Sequence, residues 1–134
     1  MGARLSWRER ADKATRTARV GPLGARRAPS NIQMLDVALV CLEHFVWQAQ
    51  HGGCALEALQ RGVAMARNVA RREWASTPGQ VAHSHAMTGY RLVRRLEQSP
   101  SRARVAAAEV HQVERLITGL RELRQDLLER AWTR

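Results

Sequence analysis

The sequence predicts an all-α fold: a helical bundle of four main helices, preceded by a basic N-terminal arm that carries a short helix. Apolar residues recur at three- and four-residue spacing, and helix caps and breakers divide the chain clearly. No segment shows the alternating pattern of a β-strand. We therefore expect an arm over residues 1–30 and one bundle domain over residues 31–134 of the 134-residue chain.

The arm begins with a short polar helix over residues 7–19. Ser6 and Glu9 have the spacing of a capping box, in which each side chain accepts a hydrogen bond from the other residue's backbone amide. Gly21-Pro22 ends this helix, and a basic linker follows. Because the arm holds few large apolar side chains, we expect it to be dispensable for folding.

The second helix is the predicted core helix. A capping box of Ser30 and Gln33 opens it, and it runs to about Gln50, where His51-Gly52-Gly53 supplies glycines that can turn left-handed. Its apolar stripe consists of Ile32, Leu35, Leu39, Leu42, Val46 and Ala49, widened by Met34, Val37, Cys41 and Phe45.

A third helix over residues 54–75 and a fourth over residues 78–98 follow. Thr77 is the expected N-cap of the fourth, with Pro78 at its first position. The third helix is predicted to bury Leu56, Leu59, Val63, Ala66 and Ala70. The fourth is predicted to bury Val81, His85, Leu92 and Leu96, with Gly89 allowing a close neighbour.

The last predicted helix opens at Ser99-Pro100 and reaches Trp132. Its apolar seam is Val113, Leu116, Leu120, Leu123 and Leu127, broadened by Val110, Ile117 and Ala131. A broad stripe favours packing within a bundle over a two-stranded coiled coil. The turns from Leu123 onward are expected to extend toward a partner.

Positive charge is concentrated in two blocks. The chain has 22 Lys and Arg against 12 Asp and Glu. Residues 1–30 carry +6 and residues 78–108 carry +4, whereas residues 31–77 and 109–134 each balance to zero. Concentrated charge makes a local field that attracts polyanions. All but one of the basic residues are Arg, which reflects either a GC-rich genome or a use for the phosphate-pairing guanidinium.

Three groups of residues are the candidate nucleic-acid-binding site. The third helix contributes Arg61, Arg67, Arg71 and Arg72, and the fourth contributes Tyr90, Arg91, Arg94 and Arg95. A ring among guanidinium groups is typical of single-strand binders. The third group, Ser101, Arg102 and Arg104, lies at the expected N-terminus of the last helix, where free amides favour phosphate. The alternative is a solvated arginine face.

The sequence offers no catalytic motif, cofactor motif or membrane span, so we expect a non-enzymatic protein of the cytoplasm without a cofactor. Cys41, His44, His51 and Cys54 have zinc-ligand types, but on one helix the two histidines lie ~10.5 Å apart, so we predict no metal site. Myristoylation at Gly2 and a transit-peptide role for the arm are weaker alternatives.

Over residues 31–134 the chain resembles the small helical subunits of CRISPR effector complexes, in its short basic α-bundle and its arginine rows. Those subunits line up along the complex and hold the guide–target duplex or the displaced strand. The resemblance implies a repeated, non-catalytic subunit of an RNA-guided antiviral ribonucleoprotein. That family does not require the basic arm.

We therefore predict a non-catalytic subunit that binds nucleic-acid backbone without reading sequence, beside other protein subunits or further copies of itself. One alternative is a plasmid or phage accessory protein that binds duplex DNA, as a dimer through residues 113–127. The other is a helical adaptor whose arginines meet an acidic protein or a membrane surface.

Overall fold

The computed structural model describes residues 6–19, 30–98 and 104–133, with the side chains of the first range described to residue 13. These residues form five helices and no strand, which confirms the all-α prediction. The helices are α1 (Trp7–Arg19), α2 (Asn31–Gln50), α3 (Leu56–Arg72), α4 (Thr77–Gln98) and α5 (Ala107–Trp132).

Helices α2 to α5 form an antiparallel four-helix ring. Each packs against the next along the chain, and α5 returns to pack against α2. Short connections between consecutive helices produce this up-and-down order. The ends of neighbouring helices meet accordingly: Arg95 in the last turn of α4 lies against Glu109 in the first turn of α5.

The predicted capping boxes of the first two helices and the glycine stop of the second are confirmed, while the predicted stop of the first, Gly21-Pro22, lies outside the described residues. Ser6 and Glu9 exchange their capping hydrogen bonds at 3.2 and 3.1 Å. Ser30 and Gln33 do the same at 2.9 and 3.2 Å. Gly52 has a φ of 81°, so it is the left-handed residue that ends α2.

Helix α1 lies on the outside of the ring, against α2. The Trp7 ring stacks on the His44 imidazole with 5.6 Å between centroids. Ala11 is fully buried and packs with Val37 and Cys41. The contact is therefore small but specific.

Two ion pairs join α1 to α3. Arg8 pairs with Glu57, and Arg61 pairs with Asp12 at 3.2 Å. Both pairs span 49 residues, so α1 runs parallel to α3. That residues 1–30 are dispensable for the folding of the bundle stays a prediction.

The α5 seam packs inside the chain. Val113, Leu116, Leu120 and Leu123 are fully buried in the central cluster, and Leu127 is packed against it. Val110 and Ile117 are also buried, whereas Ala131 is exposed. The seam is thus filled by the helices of its own bundle, which disfavours the dimer through residues 113–127.

On α2 the buried side chains are those of the stripe's centre and its widening residues. They are Met34, Leu35, Val37, Ala38, Leu39, Cys41, Leu42 and Phe45. Ile32, Val46 and Ala49, at the ends of the predicted stripe, are only half-buried. On α3 the prediction holds for Leu59, Val63, Ala66 and Ala70, while Leu56 is half-buried.

The burial predicted for the first half of α4 is wrong. Val81 is 40% exposed and His85 is half-buried, while Ala82 and Ala86 are fully buried. Small residues are buried here because they let neighbouring helices approach closely. A Cβ added at Gly89 would lie 3.0 Å from a Val63 methyl, which confirms the predicted close contact at this glycine.

Two predicted helix starts are also corrected. Ser76, not Thr77, caps α4, since its hydroxyl oxygen accepts a hydrogen bond from the Gly79 amide at 3.1 Å. Helix α5 begins at Ala107 and not at Ser99-Pro100. Its first turn is closed by Glu109, whose carboxylate accepts from the Ala106 amide at 2.9 Å.

Candidate nucleic-acid interface

Three arginines of α5 form ion pairs with other parts of the bundle. Their guanidinium groups pair with carboxylates of α2 and of the residue that follows α3. The pairs are Arg121 with Glu43 at 2.6 Å, Arg124 with Asp36 at 2.8 Å and Arg130 with Glu73 at 3.0 Å. These arginines join distant parts of the chain and carry compensated charge.

Two of the four α3 arginines in the predicted site face other helices. Arg61 pairs with Asp12 of α1. Arg72 donates to the Asn31 amide oxygen at 3.4 Å and contacts the Met34 sulfur at 3.2 Å. Their side of α3 is turned toward α1 and α2, away from α4.

Arg95, which belongs to the predicted nucleic-acid-binding site, has a protein carboxylate as its partner. Its guanidinium donates two hydrogen bonds to Glu109, at 2.5 and 2.6 Å, and a third to the Arg104 carbonyl at 3.0 Å. Burial tends to raise the pKa of Glu109, but the hydrogen bonds from Arg95 and the Ala106 amide outweigh it and lower that pKa. Arg95 is therefore a link between α4 and α5.

Arg67, Tyr90 and Arg94 come together across α3 and α4. The guanidinium carbons of Arg67 and Arg94 lie 5.4 and 6.0 Å from the centroid of the Tyr90 ring. Arg94 also donates to the Tyr90 hydroxyl at 3.5 Å, and this bond raises the pKa of Arg94. The Nε–H of Arg67 is buried and has no acceptor among the described residues. Among the described residues, the partner of these two cations is the ring and not a carboxylate.

The packing of α3 against α4 places Trp74 on the same side of the bundle as Arg67, Tyr90 and Arg94. Gln60 bonds Glu97 at 3.4 Å, Arg67 lies on Tyr90, and Trp74 meets His83 edge-on at 5.1 Å between centroids. Successive pairs are seven residues apart, both along α4 and along α3 with the turn that follows it. They therefore mark one continuous seam between α3 and α4.

Further arginines flank this seam. Arg71 and Arg91 are exposed, and the guanidinium group of neither forms a hydrogen bond or ion pair with any residue in the described ranges. We call the surface formed by Arg67, Arg71, Trp74, His83, Tyr90, Arg91 and Arg94 the basic α3–α4 face. Where the C-terminal half of α4 forms this face, a depression of about 410 Å³ is lined by Tyr90, Arg91, Arg94, Arg95 and Gln98.

Of the three residues in the third predicted group, Arg104 alone lies among the described residues. Ser101 and Arg102 lie outside the described residues. Arg104 is exposed and lies in the non-helical residues before Ala107. The first turn of α5 already holds the Glu109 carboxylate, so an internal anion occupies the position expected for phosphate.

Trp74 was not among the sequence-predicted site residues. It lies just beyond the last residue of α3, where the sequence pattern gives no orientation. Its spacing of three and seven residues from Arg71 and Arg67 is the signal that could have identified it, because such spacings share one helix face.

The cysteines and histidines among the described residues do not cluster as metal ligands would. The described residues contain no group of three or more possible ligands close enough to hold an ion. Cys41 is buried, and this burial raises its pKa to about 11. His44 lies under Trp7, where burial and the nearby Arg10 and Arg8 lower its pKa. His51 stacks on Trp47.

No helix in the described part of the chain is long and apolar enough to cross a membrane. The chain matches no protein-family model, no curated protein and no solved structure. The fold and the basic α3–α4 face therefore carry the functional argument.

Proposed function

We propose that this protein is a non-catalytic nucleic-acid-binding subunit that contacts the phosphate backbone without reading sequence. The observation that supports it is the uneven pairing of the arginines. Those of α5 that reach other helices have carboxylate partners, whereas Arg71 and Arg91 of the basic α3–α4 face pair with no carboxylate among the described residues. Unpaired guanidinium groups around an exposed ring suit phosphate and base contacts together.

The face is short of acidic groups. Glu97 is the carboxylate next to it, and its oxygen accepts a hydrogen bond from Gln60. Its charge acts on Arg94 at a distance without an ion pair. A surface with several cations and one carboxylate attracts polyanions and adds little to stability.

The proposal extends to a place in a larger complex. The size of the chain, its basic bundle and the resemblance to CRISPR small subunits favour a ribonucleoprotein in which other subunits supply sequence recognition and catalysis. A protein that binds duplex DNA alone, and an adaptor for acidic proteins or membranes, are the competing functions. The experiment below distinguishes them.

The test compares two triple variants that remove the same charge from different places. Arg71, Arg91 and Arg94 are replaced by Gln in the first; Arg121, Arg124 and Arg130 are replaced in the second. Binding of mixed-sequence single strands and duplexes of DNA and RNA is measured by fluorescence anisotropy over a range of salt. Each lost phosphate contact reduces the log–log salt slope by ~0.7–0.9, so the first variant should lose about 2–3.

The second variant is the matched control, because its arginines are compensated in the fold. It should lose thermal stability and keep the salt slope. If both variants lower the slope equally, net charge and not the basic α3–α4 face binds the polyanion. If the unmodified protein binds none of the four nucleic acids at low salt, the nucleic-acid function is wrong.

A further inference from the structure

We infer that the basic α3–α4 face binds single-stranded nucleic acid, with bases stacked on Trp74 and Tyr90 while the arginines hold the phosphates. This inference rests on the proposed function and adds the strand state and the base contacts. A base in a duplex is already stacked on its neighbours, whereas the bases of an unpaired strand are free to stack on exposed side-chain rings.

Trp74 is the main observation. Its side chain is 53% exposed, and its described ring contact is the edge-on contact with His83. An edge-on partner leaves a flat indole face without a stacked neighbour. A large apolar ring left in water costs hydrophobic free energy, which a stacked base would recover.

The spacing of the two rings fits a strand that runs along the seam. Trp74 lies beside His83, and Tyr90 lies seven residues further along α4. At 1.5 Å per residue this separates the two positions by ~10.5 Å along the helix axis. That is about three steps of a stacked strand at ~3.4 Å each. Two rings at this distance can serve separate bases of one strand.

The arginines are placed to hold the phosphates of such a strand. Arg71, at the end of α3, precedes Trp74 by three residues, and Arg67 and Arg94 lie on the Tyr90 ring. Each ring therefore has a cation within one turn. Stacking platforms beside a cationic track are the usual arrangement in single-strand binders, because every base has a π face and every nucleotide has a phosphate.

Trp47 provides a natural comparison. It is also 53% exposed and also contacts a histidine, His51. Its surroundings are different, because it lines a depression between α2 and α5 with Glu43, Glu114 and Arg121, in which the one arginine pairs with Glu43 and leaves Glu114 without an arginine partner among the described residues. Carboxylates near this ring repel a polyanion. An exposed tryptophan suits base stacking only where the charges around it attract the strand, and Trp74 has such neighbours.

The experiment uses the full chain and compares Trp74→Ala, Trp74→Phe and Trp47→Ala. Probes are fluorescein-labelled oligo(dT) and oligo(U) of about 16 nucleotides, an abasic strand of the same length and a duplex. Trp74→Ala should weaken binding of the base-bearing strands by about 5- to 140-fold, the range that one stacked base is worth. It should leave the abasic strand, the duplex and the salt slope unchanged.

The other two variants are the controls. Trp74→Phe should retain most of the affinity because it keeps a ring, and Trp47→Ala should bind as the unmodified protein does. Thermal melts of all variants show whether the fold is intact. If Trp74→Ala weakens abasic and base-bearing strands equally, or neither, the stacking inference is overturned while backbone binding stands. If the unmodified protein binds no probe at all, the proposed function itself fails.

Discussion

Leu120 offers a direct test of how α5 packs. Its side chain is fully buried in the central cluster, among residues of the other three ring helices. Truncation of a fully buried leucine to alanine costs ~2–5 kcal/mol of unfolding free energy, because apolar contacts are lost and a cavity remains. We expect Leu120→Ala to fall in this range.

The corresponding shift in melting temperature can be worked out from the chain length. An unfolding entropy of about 2.1 cal/mol/K per residue gives about 0.28 kcal/mol/K for 134 residues. Leu120→Ala should therefore melt about 7–18 °C below the unmodified protein. Thermal unfolding followed by circular dichroism measures this directly, and urea unfolding gives the free energy independently.

Leu128→Ala is the matched control, since it removes the same atoms from a half-buried position eight residues further along α5. It should cost at most about 1 kcal/mol. A Leu120→Ala protein that melts like the unmodified one would refute the packing described above. If it also fails to assemble with a partner, the seam is an interface between subunits.

Three further outcomes are expected. Deletion of residues 1–30 should preserve cooperative unfolding of the bundle in circular dichroism and reduce polyanion affinity; a molten product would place α1 in the folding unit. Iodoacetamide at neutral pH should label Cys54 faster than Cys41 in mass spectra, because burial raises the pKa of the Cys41 thiol to about 11 and shields it; equal rates would contradict this. Because the pKa of Glu109 is lowered below its ordinary 4.5 in the folded state, the stability that its carboxylate adds is present above pH 4.5 and lost as pH falls through the lowered value. The difference in unfolding free energy between Glu109→Gln and the unmodified protein should shrink over that range, and a constant difference would exclude a contribution from the charge.

Much of the fold could be predicted because its signals are local. A capping box depends on residues three apart, and an apolar stripe depends on positions within one helix. The boundaries of α1 and α2 and the buried seam of α5 followed from such patterns. The start of α5 did not, because Ser99-Pro100 has the composition of a cap while the acid that closes the first turn is Glu109.

The errors within α4 have a different physical origin. Hydrophobicity alone favours Val81 over Ala82 as a core residue, yet Ala82 is buried and Val81 is 40% exposed. The first half of α4 is buried through small residues because neighbouring helices approach closely there. This geometry depends on the partner helices, and a single helical pattern does not contain it.

At the candidate site, the net charge counted along a segment of sequence differs from the charge that the folded surface presents. Residues 31–77 balance to zero in sequence, although they contain the four α3 arginines of the predicted site. In the fold, carboxylates of α2 pair with Arg121 and Arg124 of α5, 78 and 88 residues away. Arg67 and Arg71 of α3 therefore pair with no carboxylate among the described residues. Together with Arg91 and Arg94 of α4 they form one surface. Arg95, which lies in one of the two basic segments of the sequence, is conversely neutralised by Glu109. Net charge along a segment and net charge on a face are different quantities, and it is the charge on the face that a polyanion meets.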